Sequence, residues 1–273
     1  MGLIELMAVA AIVEDDYSWL RCTIPAASGD LAEAARSLAE RILRLRCGAA
    51  TQTVDAWLRA VSGEQEPTMG ETAALTAFVR SGFGSPAVPL TADHLEGMTA
   101  EYLWYFATID HAALNGISIA RILEPGSSPS SSGGDGLVIT RDGDEFPFFL
   151  WEIKKNTGRT HVSASVKVAY DQLDANGLEY IARYVGPASI EAAGQPELLG
   201  AIATMVDDWE SASSRAGAGV AVATSFDKTP QRCFSTFPEH FPLLKPRLKG
   251  AVFGIGDFSS FALAVRDTLW IGL

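Results

Sequence analysis

An α/β (α+β) fold, a central mixed β-sheet flanked by helices, is the architecture the sequence predicts, and three observations predict it. A hairpin pattern stands near mid-chain, within residues 133 to 155. Stretches with apolar residues at helical spacing precede and follow it. Two further strand-like runs, Gly219 to Phe226 and Leu248 to Gly254, come late in the chain. With 273 residues, 48% of them hydrophobic, the chain suffices for one large domain, or for a core domain with an appended half.

The elements follow in order. Residues 3 to 24 read as two strands, Leu3 to Val13 and Tyr17 to Ile24. The first is apolar but lacks a basic flank and is interrupted by Glu5, so a strand is expected and not a signal peptide. Asp30 caps a helix in which Leu31, Ala34, Ala35, Leu38, Ile42 and Leu45 form one face; Arg36, Arg41, Arg44 and Arg46 fall mostly on others. Helices over Val54 to Val61 and Thr72 to Val79 lead to a Gly- and Pro-rich break, and a domain boundary is placed near residue 90, giving an N-terminal α+β extension (1–90) and a second domain (91–273). Asp93 to His111 is a helix rich in large side chains, and Gly116 to Leu123 a strand. The segment EPGSSPSSSGG is flexible by composition and leads into Asp135. After the hairpin come a long helix from His161 to Tyr184, a helix from Pro196 to Ser213, the two late strands, a helix from Phe258 to Arg266 and a strand from Leu269 to Ile271.

Charge and cysteine content narrow the class. Three scattered cysteines, without CxxC or Cys-His spacing, fit a reducing cytoplasm and argue against a zinc site. No apolar run reaches the ~18–20 residues of a membrane span. A net charge of −12 is awkward for a phosphate-binding protein. Basic residues nevertheless gather locally: Lys154, Lys155, Arg159, His161 and Lys167 in a segment free of acids, and Lys228, Arg232, Lys245, Arg247 and Lys249 near the end. P-loop, HExxH and GxSxG motifs are absent, and the four histidines have no ligand spacing.

The hairpin carries the chemistry. A two-residue turn centred on Asp142-Gly143 pairs Arg141 with Asp144 and sets Asp135 opposite Leu150. Alternation then puts Asp135, Glu152 and Lys154 on one side, with Asp135 diagonal to Glu152 at roughly 7–8 Å between backbones. Two carboxylates so placed can close on one small cation. Glu152-Ile153-Lys154 is the only Asp/Glu-x-Lys in the chain, and it ends an apolar strand in which charge is costly.

An acid followed on the next strand by Glu-x-Lys resembles the signature of the PD-(D/E)XK nuclease superfamily, with Gly133-Gly134 where the name has Pro. The likeness covers about half the chain, and the element order from residue 93 to 226 is similar to the superfamily core with one extra helix. It implies a restriction-endonuclease-like core and hydrolysis of DNA to 5′-phosphate and 3′-hydroxyl ends. It also implies Mg²⁺ or Mn²⁺ held by Asp135 and Glu152 with the Ile153 carbonyl, an oxygen donor set that suits such hard cations. Lys154 would orient water and offset charge. Gly97 to Glu101 resembles the Gly-x-x-x-Glu of the family's first helix, making Glu101 a further ligand, with Glu96 as the alternative. Gln172 corresponds to the Gln many members carry on the helix after the Glu-x-Lys strand. Lys155, Arg159, His161 and Lys167 are the expected DNA contacts. Acidic surface beside basic patches is similar to effector nucleases of bacterial antiphage systems, such as those of the Hachiman type, which implies a helicase or ATPase partner; a homo-oligomer stays open. The competing expectation is a nuclease-fold binding module without activity.

Overall fold

The computed structural model describes residues 2–126, 135–158 and 160–273. In chain order the elements are β1 (Ala8–Val13), β2 (Ser18–Ile24), α1 (Asp30–Cys47), α2 (Thr51–Ser62), α3 (Met69–Phe83), the short β3 (Gly84–Ser85) and β4 (Val88–Pro89), α4 (Ala92–Leu114), β5 (Ser118–Ile122), β6 (Gly136–Arg141), β7 (Phe148–Asn156), α5 (Val162–Glu191), α6 (Pro196–Ala203), α7 (Met205–Glu210), β8 (Ala216–Thr224), α8 (Phe237–His240), β9 (Leu248–Ile255) and α9 (Phe258–Leu269). Seven strands form one mixed sheet in the order β1-β2-β9-β8-β7-β6-β5. The inner pairs β7/β8, β8/β9 and β9/β2 are parallel; β1/β2, β5/β6 and β6/β7 are antiparallel.

The sheet separates two apolar layers. One holds Trp104, Trp151, Ile153 and Phe253 with residues of α1, α4 and α9; the other holds Phe148, Leu150, Val220 and Val252 with residues of α5 to α8. A parallel strand covered on both faces favours a continuous apolar run, and β8 (AGAGVAVAT) is buried along its whole length. Its glycines admit large neighbours: a Cβ on Gly219 would come within 2.2 Å of the Trp151 ring.

The boundary expected near residue 90 does not divide two cores. β2 pairs with β9 along its full length, and Leu38, Ile42, Trp57 and Leu75 share a buried cluster with Leu103, Phe258 and Leu269. The first strand is shorter than expected, because Leu3–Leu6 form a 3-10 turn whose N–H groups at Leu3 and Ile4 donate to Asp110. Four further boundaries move. α5 runs past Gly186 and Pro187 to Glu191, its end held by the fully buried Ala188 and Ala192. The helix expected from Pro196 to Ser213 is two, because the Arg215 guanidinium takes the Ala201 carbonyl and the Thr204 hydroxyl at the break. The final strand is absent: Leu269 closes α9 in the core, and Arg266 stacks over Trp270 at 4.3 Å. Lastly, the hairpin turn lies one residue later than expected. Asp142 and Glu145 exchange both backbone hydrogen bonds, leaving Gly143 and Asp144 as the loop, with Gly143 at φ +60°. Glycine thus serves as the first central residue, where a II′-type turn requires positive φ.

No helix among the described residues is long and apolar enough to cross a membrane. The flexible segment expected over 124–134 lies outside the described residues from 127 on, as does Arg159.

Candidate functional site

The displaced turn changes the hairpin register by two residues, which preserves the faces and alters the partners. Gly136 pairs with Trp151 and Leu137 with Leu150, so the expected pairing of Asp135 with Leu150 is corrected; Asp135 stands one residue before the first paired position of β6. Asp135 is tied down twice: its N–H donates to the Trp151 carbonyl at 3.2 Å, and its Oδ2 accepts from the Ile153 N–H at 2.7 Å. Gly136 lets this corner form, since a Cβ there would fall 2.2 Å from the Trp104 ring that α4 lays against it.

Three of the expected groups converge. Lys154 Nζ lies 2.5 Å from Glu152 Oε1, and Glu152 is buried with its side chain only 3% exposed. The Asp135 and Glu152 carboxyls lie within hydrogen-bonding reach of each other. Glu152 Oε2 is sealed from solvent and receives no N–H or O–H donor. Burial, then the neighbouring Asp135 charge, push the Glu152 carboxyl up to about 7 against the opposing pull of Lys154. Asp135 is also raised, by burial, although Lys154, the Ile153 N–H and Glu152 act the other way. Burial works against the Lys154 ammonium, but Glu152 and Asp135 outweigh it and its pKa is raised, so it is a firm cation. Glu101, on α4, belongs to the same group: burial, then the Asp135 charge, lift it to about 8.

Glu96 has a different place. Lys155 Nζ (2.6 Å), Thr157 Oγ1 (2.8 Å) and Ser259 Oγ (2.6 Å) all donate to its buried carboxylate. Burial alone would raise its pKa; these donors hold it below the ordinary value. Lys155 bridges Glu96 and Asp93, so the structure spends this expected DNA contact on joining β7 to the first turns of α4. Lys167 is exposed and pairs with Asp171 one helical turn away, and His161 is exposed at the start of α5. Gln172 makes no hydrogen bond to Asp135, Glu152 or Lys154; its Oε1 is buried without a partner. From α5 the residues whose charge environment is set by the acids are Tyr180 and Tyr184. Burial first and then Asp135 and Glu152 raise both phenols. Their i,i+4 spacing was the signal available in the sequence.

The late basic segment is largely structural. Lys228 donates to the carbonyls of Thr157 and Gly158, Lys245 pairs with Asp16, and Arg247 holds the carbonyls of Ser213 and Ala216. The α1 arginines are likewise engaged: Arg41 grips Asp110 with both terminal nitrogens, and Arg46 reaches Tyr102 and the Phe78 carbonyl.

Among the described residues no three His, Cys, Asp or Glu side chains form a ready metal cage. What converges is a carboxylate pair with a lysine on it and Glu101 beside it. Two buried acids in contact, one with an orphaned oxygen, must share either a proton or a cation. All their free donors are hard oxygens, which fits Mg²⁺ or Mn²⁺. No protein-family model matches the chain, and no curated protein is significantly similar to it.

Proposed function

We propose that the protein is a metal-dependent nuclease that hydrolyses DNA phosphodiester bonds, on a restriction-endonuclease-like core of α4, β5, β6, β7, α5 and β8. The observation that carries this reading is the buried Asp135–Glu152 pair, unsatisfied at Glu152 Oε2 and flanked by the Lys154 ammonium. Support also comes from the strand arrangement, an antiparallel β5-β6-β7 meander followed, through helices α5 to α7, by the parallel β8.

Asp135 and Glu152 would hold Mg²⁺ or Mn²⁺, with Glu101 and the Ile153 carbonyl as further oxygen donors. Such an ion, when bound, lowers the pKa of water and neutralises charge on phosphate oxygens. Lys154, a fixed cation at the mouth of the pair, orients the attacking water and offsets charge as it grows on the phosphate. Asp135, anchored through the Ile153 N–H, keeps its carboxylate aimed while Glu152 loses its proton. Tyr180 and Tyr184 of α5 stand within the electrostatic reach of the pair. Because so many basic side chains are committed to internal ion pairs, a helicase or ATPase partner supplies much of the grip on DNA. The similarity to antiphage effectors extends the proposal to a defence role in the bacterial cytoplasm.

Labelled single- and double-stranded DNA and RNA, incubated with the purified chain alone and with a candidate helicase in Mg²⁺ or Mn²⁺, test this. Cleavage of DNA that stops with chelator, Glu152→Ala and Lys154→Ala is expected. Uncut DNA in every arm, with wild type folded, would replace the enzyme by an inactive binding module.

A further inference from the structure

On the α4 side of the sheet, behind the strand that carries Glu152 but on its opposite face, lies a cavity of about 410 Å³. Its floor includes one row across the sheet. Trp151, Gly219, Lys249 and Ser18 are successive register partners on β7, β8, β9 and β2, and therefore share a face. With no side chain at Gly219, the Trp151 ring lies over the β8 backbone and leaves the space above Lys249 open. The C-terminal turns of α4 form the roof, and β1 and β5 close the sides with aliphatic residues such as Ala11 and Ile119.

Into this mainly apolar chamber comes one lysine. Lys249 is half-buried; its Nζ donates to Ser18 Oγ at 2.9 Å, and no carboxylate among the described residues lies within ion-pair distance. His111, from the last turn of α4, also lines the cavity, and its Nδ1 lies 3.0 Å from the Asn115 amide nitrogen. Burial depresses the Lys249 ammonium, and burial first and then the Lys249 charge depress His111. A cation in apolar surroundings with one hydroxyl for company is costly. An anion seated between these groups removes that cost, and an apolar body on the anion covers the aliphatic wall. The volume lies within the roughly 300–1,000 Å³ range of small-molecule sites.

We propose that this cavity is a binding site for a small apolar molecule bearing a single anionic group, a carboxylate or sulfonate, with Lys249 as its counter-ion. The site is independent of the acid pair and of the nuclease reading, since it stands on the other face of β7.

The test is fluorescence titration of the full chain with two probes of similar body. One is the sulfonate 1-anilinonaphthalene-8-sulfonate; the other is the uncharged N-phenyl-1-naphthylamine. Saturable one-to-one binding of the sulfonate is expected, displaced by decanoate, with affinity about tenfold lower in Lys249→Met, the loss of one charge-assisted contact. The neutral probe should bind the wild type and Lys249→Met alike. Ala11→Phe, which fills the cavity from an exposed strand and leaves Lys249 in place, should weaken both probes, and it covers the case in which Lys249→Met misfolds by circular dichroism. The proposal is overturned if the sulfonate fails to saturate, if Lys249→Met binds it as wild type does, or if Ala11→Phe leaves both probes unaffected.

Discussion

Replacing Glu152 by glutamine should stabilise the metal-free protein at alkaline pH while abolishing its response to magnesium. In the folded chain the Glu152 carboxyl titrates at about 7, raised above the ordinary 4.5 by burial and by Asp135. A raised carboxyl pKa means that the neutral form is the one the fold accommodates. The associated stability is fully present below pH ~4.5, declines as pH rises, and is lost above about 7. A displacement from 4.5 to about 7 corresponds to on the order of 3 kcal/mol. Glu101 and Asp135 titrate in the same cluster, so this figure belongs to the group and not to one residue. A glutamine side chain in this place has no charge to bury, and its amide can donate to Asp135 at every pH. Thermal unfolding between pH 5 and 8, with chelator and with Mg²⁺, reads all of this. Wild type should lose several degrees in Tm over that range and regain them with Mg²⁺ at pH 8, by ~2.7 kcal/mol at a hundredfold excess over Kd. Glu152→Gln should be more stable than wild type at pH 8 in chelator and indifferent to Mg²⁺. A wild-type Tm that is flat from pH 5 to 8, or a variant no more stable than wild type at pH 8, would refute the assignment of a strained acid pair.

Other substitutions test the surroundings. Gly136→Ala drives a methyl to within 2.2 Å of the Trp104 ring and should cost about 1–3 kcal/mol in denaturant unfolding, with DNA cleavage falling as Asp135 is displaced. Lys155→Ala strands the buried Glu96 and should destabilise by about 3 kcal/mol; a loss of DNA affinity at unchanged stability would restore the phosphate-contact role. Lys154→Met removes the cation that restrains the Glu152 pKa, so that ¹³C NMR of the carboxyls should show Glu152 titrating above its wild-type position, and cleavage should be lost even where Mg²⁺ still binds. Lys167→Ala breaks only an exposed pair with Asp171 and should leave stability within ~0.5 kcal/mol of wild type, so any drop in DNA binding reports a direct contact.

How far the sequence reached depended on the range of the forces involved. Period-two alternation is local and survives a misplaced turn. Asp135, Glu152 and Lys154 were therefore legible as a group, although the loop is Gly143-Asp144 and the residue that pairs with Leu150 is Leu137. The long helices were legible for the same reason, through apolar spacing along a single stretch.

What the tertiary structure alone decided came from elements far apart in the chain. The choice between Glu101 and Glu96 turned on Lys155 and Ser259, donors 59 and 163 residues from Glu96. The union of residues 1–90 with the rest turned on β2 lying parallel to β9, a pairing that no turn signal announces. The commitment of Lys155, Arg247 and Arg41 to internal partners likewise depends on which acid or carbonyl the fold brings alongside. Local backbone preference is written residue by residue. A charge finds its partner only once the sheet has closed, because Coulombic and hydrogen-bond energies depend on distance in space and are blind to distance along the chain.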